Sequence, residues 1–311
     1  MLDKQKILVT GGSGMLGNAL RVVLKDAVYT TSLDSDLTCP HQTDKLFKEY
    51  KPDMLVHLAA RVGGVKSNHD FVADFYADNV KINTNVLDTA HNYGVKKVIS
   101  LLSTCVYPDE SVYPLTEDQI HNGHPHPSNF GYAFAKRMLD VQSRAYRRQY
   151  GCNYLTAIPN NLYGEYDNFN LASSHVVPAL IRKVWQAKID NHPYVECWGD
   201  GSPLREFTYS RDVAKIILFL LENYNHESPI NIGNTNQVSI SELIGKICKI
   251  MGYSGKIVWN TNEHSGQLKK PSSNQKLLDL GWKQDWYTPL DVGLSNTCEW
   301  FINNYPNVRG M

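Results

Sequence analysis

Short apolar runs alternate with helical periodicity through the first half of this chain. Ile7-Leu8-Val9-Thr10 is a brief, nearly continuous apolar run, the signature of a strand buried on both faces. Apolar positions at helical spacing follow from residue 15 to about 25. Asp53-Met54-Leu55-Val56-His57-Leu58 is another buried run. A long helix is predicted over about 70–93, and a strand over 97–102. Residues 130–150 read as a helix, and Tyr154-Leu155-Thr156-Ala157-Ile158 as the strand after it. Strands alternating with helices imply βαβ units, a parallel sheet and right-handed crossovers.

Beyond about residue 160 the pattern breaks. Pro159, Pro178, Pro193, Pro203 and the run Trp198-Gly199-Asp200-Gly201-Ser202 interrupt it. Helical patterns return at about 174–187, 211–222, 239–251 and 290–303.

The turn after the first strand reads Gly11-Gly12-Ser13-Gly14-Met15-Leu16-Gly17. Gly11, Gly14 and Gly17 are spaced G-x-x-G-x-x-G between a strand and a helix. There a glycine backbone can approach a pyrophosphate, and the helix N-terminus favours an anion. These seven residues are therefore candidate cofactor contacts. The expected fold is α/β: a Rossmann-type doubly wound parallel sheet with a smaller mixed α/β C-terminal substrate lobe. Residues 1–165 would bind the dinucleotide and 166–311 the substrate, with some crossing back of the chain. After the second strand stand Asp34 and Asp36, without a Lys or Arg in that loop. Taken alone, these acids favour NAD, while Arg61 and Lys66 could bring charge from other loops.

Tyr132 and Lys136 are four residues apart on one face of a predicted helix. A phenol beside an ammonium can exchange a proton with a carbonyl or alcohol near neutral pH. Ser103 stands just past the carboxyl end of a strand, where open parallel sheets bind ligands. It is placed to hydrogen-bond the reacting oxygen. These features match the extended short-chain dehydrogenases.

Longer segments narrow the resemblance. Leu102-Ser103-Thr104-Cys105-Val106-Tyr107-Pro108, Ala59-Ala60-Arg61-Val62-Gly63-Gly64, Ser128-Asn129-Phe130-Gly131-Tyr132, Asn161-Leu162-Tyr163-Gly164 and Ser174-His175-Val176-Val177-Pro178 closely resemble the GDP-L-fucose synthase family. So do Trp198-Gly199-Asp200-Gly201 and Arg205-Glu206-Phe207. The resemblance implies C3/C5 epimerisation of GDP-4-keto-6-deoxy-D-mannose, then reduction at C4. It assigns the base and acid of epimerisation to Cys105 and His175. Tyr132 would donate the proton of the reduction, Lys136 would hold the cofactor ribose, and Ser103 would steady the carbonyl oxygen. It also places Ala59, Ala60, Leu101, Lys136, Pro159, Asn160, Asn161, Leu162 and His175 at the cofactor, and Lys183, Trp198 and Arg205 at the GDP moiety. Lys269 and Lys270 are weaker candidates of the same kind. The family uses NADPH, and some members have a basic residue where Ser13, Leu33 or Asp34 stands. NADP(H) is expected, with NAD(H) as a second cofactor. A dehydratase would need an acidic pair where Cys105-Val106 stands. A binding module that had lost catalysis would show a degraded triad, whereas Ser103, Tyr132 and Lys136 are all present.

Composition removes other classes. The formal net charge is zero, which argues against nucleic-acid or anionic-membrane partners. The six cysteines include no C-x-x-C pair, so neither zinc nor a disulfide framework is suggested and a cytoplasmic setting fits. Proline and glycine interrupt the cluster His121, His124 and His126, and no metal is expected. No signal peptide or spanning segment is visible. Resemblance further implies a homodimer through the helices over 70–93 and 130–150.

Overall fold

The computed structural model describes residues 5–262 and 268–311, with the side chains of Val65 and Lys66 outside that description. The first half holds β1 (Ile7–Thr10), α1 (Met15–Val23), β2 (Val28–Thr30), α2 (Pro40–Tyr50), β3 (Met54–His57), α3 (Val65–Asp70), α4 (Val72–Asn92), β4 (Lys97–Leu101), α5 (Phe130–Tyr150) and β5 (Asn153–Ile158). Then come β6 (Asn161–Tyr163), α6 (Val176–Ile189), β7 (Tyr194–Trp198), β8 (Leu204–Tyr209), α7 (Ser210–Asn223) and β9 (Ile230–Asn231). The chain closes with β10 (Gln237–Ser239), α8 (Ile240–Met251), β11 (Lys256–Asn260), α9 (Gln275–Asp279) and α10 (Leu290–Asn304).

The main sheet is parallel throughout, in the order β2-β1-β3-β4-β5-β9. Its two faces are separate cores. Ile7, Val9, Val56, Ile99 and Leu155 pack against α1 and α7, while Leu8, Leu55, Val98 and Tyr154 pack against α2, α4 and α5. Strand residues alternate faces and both faces are covered, which is why these strands read as unbroken apolar runs. The strand order reverses between β1 and β3, so the crevice beyond their carboxyl ends is where a doubly wound sheet binds its ligand.

A second core joins β6, β7, β8 and β10 to α6, α8 and α10. It includes a three-stranded sheet, β10-β8-β6, and a parallel pair, β11-β7. The two lobes interleave. Helix α7 and strand β9 return to the main sheet, and Lys97 caps the C-terminus of α7 by donating to the carbonyls of Leu220, Leu221 and Tyr224 at 2.8, 2.8 and 2.7 Å.

The long helix expected over about 70–93 is α4, and one element was not expected: the short helix α3 precedes it, and the two meet at Phe71, whose backbone (φ −124°, ψ 42°) is non-helical. Phe71 N donates to Ser67 O to close α3, and Phe71 O accepts from Phe75 N to open α4. A helix of six residues is too short to show a hydrophobic period, so periodicity does not reveal α3.

Candidate active site

The turn between β1 and α1 has the shape its glycines imply. Gly11 lies at φ +76°, and a Cβ there would come within 2.8 Å of Ala59 N. A Cβ on Gly17 would meet Gly12 Cα at 2.7 Å, so that glycine lets α1 seat directly on the turn. Gly14 is the N-cap of α1 and brings no side-chain cap, and the first turn contains no acid. Asn18 Nδ2 ties back the carbonyls of Ser13 and Gly14, both at 3.0 Å. The N–H groups of Met15, Leu16 and Gly17 thus form an open anion cradle, with Ala59 against the turn at Gly11. The loop after β2 holds its acids locally. Asp34 accepts from Thr31 N and Oγ1 at 2.7 and 2.9 Å, and Asp36 accepts from Thr38 N and Oγ1 at 2.9 and 2.7 Å; these bonds hold both carboxyls below the usual range. Ser13 and Leu33 are exposed there. Arg61 is paired with Asp78 at 2.6 Å and Asp74 at 3.2 Å, and the Lys66 side chain lies outside the described residues.

Four sequence-predicted residues converge where β4 ends and α5 begins. Ser103 caps a single helical turn, Thr104–Val106, and its Oγ accepts from Cys105 N at 3.4 Å. Arg137, about two turns into α5, donates to the carbonyls of Val106 and Gly123 at 2.7 and 2.6 Å, clamping that turn against the helix. Lys136 Nζ donates to Leu101 O at 2.7 Å and lies 5.8 Å from the centre of the Tyr132 ring. Tyr132 takes the edge of Phe75 at 6.3 Å. Burial holds Lys136 down to about 8. Burial pushes the Tyr132 phenol above its ordinary range, and Cys105 adds to that. The lowering of Tyr132 by Lys136 expected from the sequence is outweighed, because the ammonium is directed to a backbone carbonyl and the phenol lies in a low-dielectric wall. Tyr132 is therefore neutral in this wall. Burial likewise raises the Cys105 thiol, against the opposing effects of the Ser103 hydrogen bond and nearby cations.

Other candidates approach from the second lobe. His175 is the N-cap of α6; its surface is open to solvent, while the protein around the ring still lowers its imidazole below the usual range by partial desolvation. The loop before it is held to the first lobe by Gly64 N donating to Ser173 O at 3.0 Å. Lys183 donates to Glu196 O at 3.0 Å and lies 5.6 Å from the Trp198 ring centre, so these two form one cation–aromatic surface. Arg205 is elsewhere, in a cleft of about 70 Å³ with Thr104, Asn160, Asn161, Glu206 and Lys270. Desolvation lowers its guanidinium pKa from the ordinary value. Asn160 spends its side chain internally, donating to Asn234 O at 2.8 Å and accepting from Thr208 Oγ1 at 2.6 Å. Pro159 is buried, Asn161 donates to Glu206 O at 2.8 Å, and Leu162 packs against the first core. Among the described residues no group of three or more His, Cys, Asp or Glu gathers as for a metal.

Sequence reasoning missed a buried chain behind the site. Ala59 N donates to Thr10 Oγ1 (3.4 Å), which pairs with His57 Nδ1 (2.8 Å). His57 Nε2 meets Asn83 Oδ1 (3.2 Å), and Asn83 Nδ2 donates to Ala135 O (3.3 Å). Burial, with Lys136 nearby, pushes His57 down to about 3, so it is neutral. One tautomer satisfies every bond: Nδ1 accepts and Nε2 donates. The chain links the dinucleotide turn to the residue before Lys136. Only the placement of His57 at a strand end hinted at it.

A cradle for a dinucleotide phosphate that opens onto Ser, Tyr and Lys side chains defines a nicotinamide-dependent oxidoreductase site. The chain belongs to the NAD dependent epimerase/dehydratase family, whose pattern matches residues 7–233. It is 41% identical over 316 residues to a GDP-L-fucose synthase of Dictyostelium discoideum, covering 99% of this chain and 98% of that protein. It is 34% identical to the GDP-L-fucose synthase of Escherichia coli, covering 99% of this chain and all of that one. A GDP-L-fucose synthetase from Naegleria fowleri bound to NADP superposes with a TM-score of 0.93 at 38% identity, covering 99% of this chain and 96% of that structure.

Proposed function

We propose that this enzyme converts GDP-4-keto-6-deoxy-D-mannose to GDP-L-fucose by epimerisation at C3 and C5 followed by NADPH-dependent reduction of the C4 ketone. One observation carries the reading. Cys105 stands two residues beyond Ser103, within the turn Ser103 caps, and beside Tyr132, so a single carbonyl site has both a proton donor for reduction and a potential base for the carbons next to that carbonyl. Such chemistry uses one ketone twice. The ketone acidifies the protons at C3 and C5, and then accepts hydride itself.

Bound in the cradle, NADPH supplies the hydride to C4. Ser103 Oγ steadies the ketone oxygen, and Cys105 Sγ takes the α-proton from one face of the sugar. His175, at the N-terminus of α6, returns a proton to the other face. Tyr132, neutral in this wall, gives its proton to the C4 oxygen. Lys136 braces the ribose side and Leu101. Lys183 and Trp198 offer a charged and aromatic surface for GDP, and Arg205 a cation for its diphosphate. The glycine turn, Ala59, Ala60, Leu101 and the 159–162 strand junction border the cofactor, with NAD(H) as a second cofactor because the loop after β2 holds no described cation. Residues 1–165 act as the dinucleotide part and 166–311 as the substrate part, with α7 and β9 returning to the first.

A homodimer and a cytoplasmic location belong to the same proposal. The exposed apolar side chains Val72 and Tyr76 on α4 and Phe130, Met138 and Val141 on α5 suit a helix bundle with a second copy. All six cysteines are free thiols, and no described helix is long and apolar enough to cross a membrane. The direct test is incubation with GDP-4-keto-6-deoxy-mannose and NADPH, following cofactor oxidation and the sugar product. Cys105→Ser loses epimerisation; GDP-fucose made by that variant at the normal rate overturns the base assignment.

A further inference from the structure

Arg137 is spent on the backbone of a single loop. It is buried in α5, directly after Lys136, with its guanidinium 5.5 Å from the centre of the Phe134 ring. Nε donates to Val106 O at 2.7 Å and Nη1 to Gly123 O at 2.6 Å. Nη2 is buried without a hydrogen-bond partner among the described residues. Burying a guanidinium with one nitrogen unmet costs stability, and an apolar side chain would avoid that cost. Stability therefore does not account for this arginine. Its rigid fork does what a hydrophobic residue cannot: it fixes two carbonyls relative to each other and to the helix.

Those two carbonyls stand at the ends of the loop over 107–123, whose return is paired by Asp109 N donating to His124 O at 2.9 Å. Val106 is also the last residue of the turn that carries Cys105. Within the turn, Val106 N donates to Ser103 O at 3.0 Å and Tyr107 N to Thr104 O at 3.3 Å. The buried Val106 side chain keeps the turn on the core, but apolar packing is non-directional. The bond to its carbonyl sets the orientation. The reducing groups are held by other bonds. Leu102 N donates to Ala157 O at 2.8 Å, fixing the chain just before Ser103, and Lys136 Nζ to Leu101 O at 2.7 Å sets α5, with Tyr132, against the end of β4. A second tie holds the loop without touching the turn. His121 Nε2 lies 3.0 Å from Asp140 Oδ2, and Asp140 also has Thr156 Oγ1 at 2.8 Å and Arg144 Nε at 2.9 Å.

We infer that Arg137 is a positioning residue for Cys105: its fork orients the Thr104–Val106 turn on α5 for proton abstraction, and ketone reduction does not depend on it. This rests on Cys105 being the base. In the step itself the α-proton passes to the Cys105 thiolate and its electron pair to the ketone oxygen, and Arg137 exchanges nothing.

The test separates the two half-reactions in the full-length enzyme. Proton abstraction is read as deuterium uptake from solvent at the carbons flanking the ketone of GDP-4-keto-6-deoxy-mannose, with NADP+ in place of NADPH so that no reduction follows. Hydride transfer is read as the first turnover of NADPH formation from GDP-L-fucose and NADP+. Arg137→Met slows deuterium uptake about a hundredfold, and Arg137→Lys, which keeps the charge without the fork, about tenfold. First-turnover hydride transfer in both stays within about twofold of wild type, which also shows that both are folded. His121→Ala, which frees the loop but not the turn, leaves both rates at the wild-type level. Without substrate, amide hydrogen exchange over 105–107 quickens in Arg137→Met, while that of β4 does not. Equal losses in the two half-reactions, unchanged exchange of the turn, or a His121→Ala variant as slow as Arg137→Met overturn the inference. Deuterium uptake that survives Cys105→Ser removes the base reading; uptake lost in Cys105→Ser but kept in Arg137→Met removes the inference alone.

Discussion

His57 makes the buried chain behind the active site testable through acid stability. The folded protein holds its imidazole near 3, against 6.5 in the unfolded chain, so the unfolded state binds the extra proton between those values. The sign follows. The contribution of neutral His57 is complete above 6.5 and is lost as pH falls toward 3. At about pH 5 the unfolded chain gains about 2 kcal/mol from protonation that the folded protein does not. His57→Leu abolishes that titration and leaves Thr10 Oγ1 and Asn83 Oδ1 without their partner, at about 3 kcal/mol near neutral pH. Urea unfolding of both proteins at about pH 7 and about pH 5 measures the difference. Wild type is the more stable at the higher pH, and its advantage shrinks by about 2 kcal/mol at the lower. A constant gap would mean that His57 does not remain neutral when folded, and would refute the single-tautomer chain.

Cofactor choice and assembly give two more outcomes. Leu33, exposed in the loop after β2, is placed to add the cation that loop lacks; Leu33→Arg raises the NADPH-to-NADH ratio of kcat/KM about tenfold through a charge-assisted phosphate contact, and an unchanged ratio places the 2′-phosphate elsewhere. Sedimentation of wild type gives a dimer at micromolar concentration, and Met138→Glu on the exposed face of α5 shifts it toward monomer; a wild-type monomer refutes the bundle interface.

How much was legible follows from the range of each interaction. The parallel sheet was readable because burial on both faces forces unbroken apolar strands, and Ile7–Thr10 and Lys97–Leu101 lie where that pattern puts them. Helix α5 spans Phe130–Tyr150 as its periodicity predicts, because a stripe from Gly131 to Ser143 is buried on one side of it. The glycine turn and the Tyr132–Lys136 pair were equally local, since a strand, a tight turn or one helical turn fixes each geometry. The short helix α3, the return of α7 and β9 to the first sheet, and the interior use of Asn160 were not.

By itself, then, the sequence determined which residues could do chemistry near one another along the chain: Gly11 to Gly17, Ser103 with Cys105, Tyr132 with Lys136. Only the tertiary structure decided which charges those groups meet. It turned Lys136 toward Leu101 O, left Tyr132 in a wall that keeps it protonated, and brought Lys270 into the cleft beside Thr104. The physical reason is that short-range backbone geometry is written in neighbouring residues, whereas desolvation and Coulomb interaction depend on what packs around a group, and that packing comes from segments far apart in the chain.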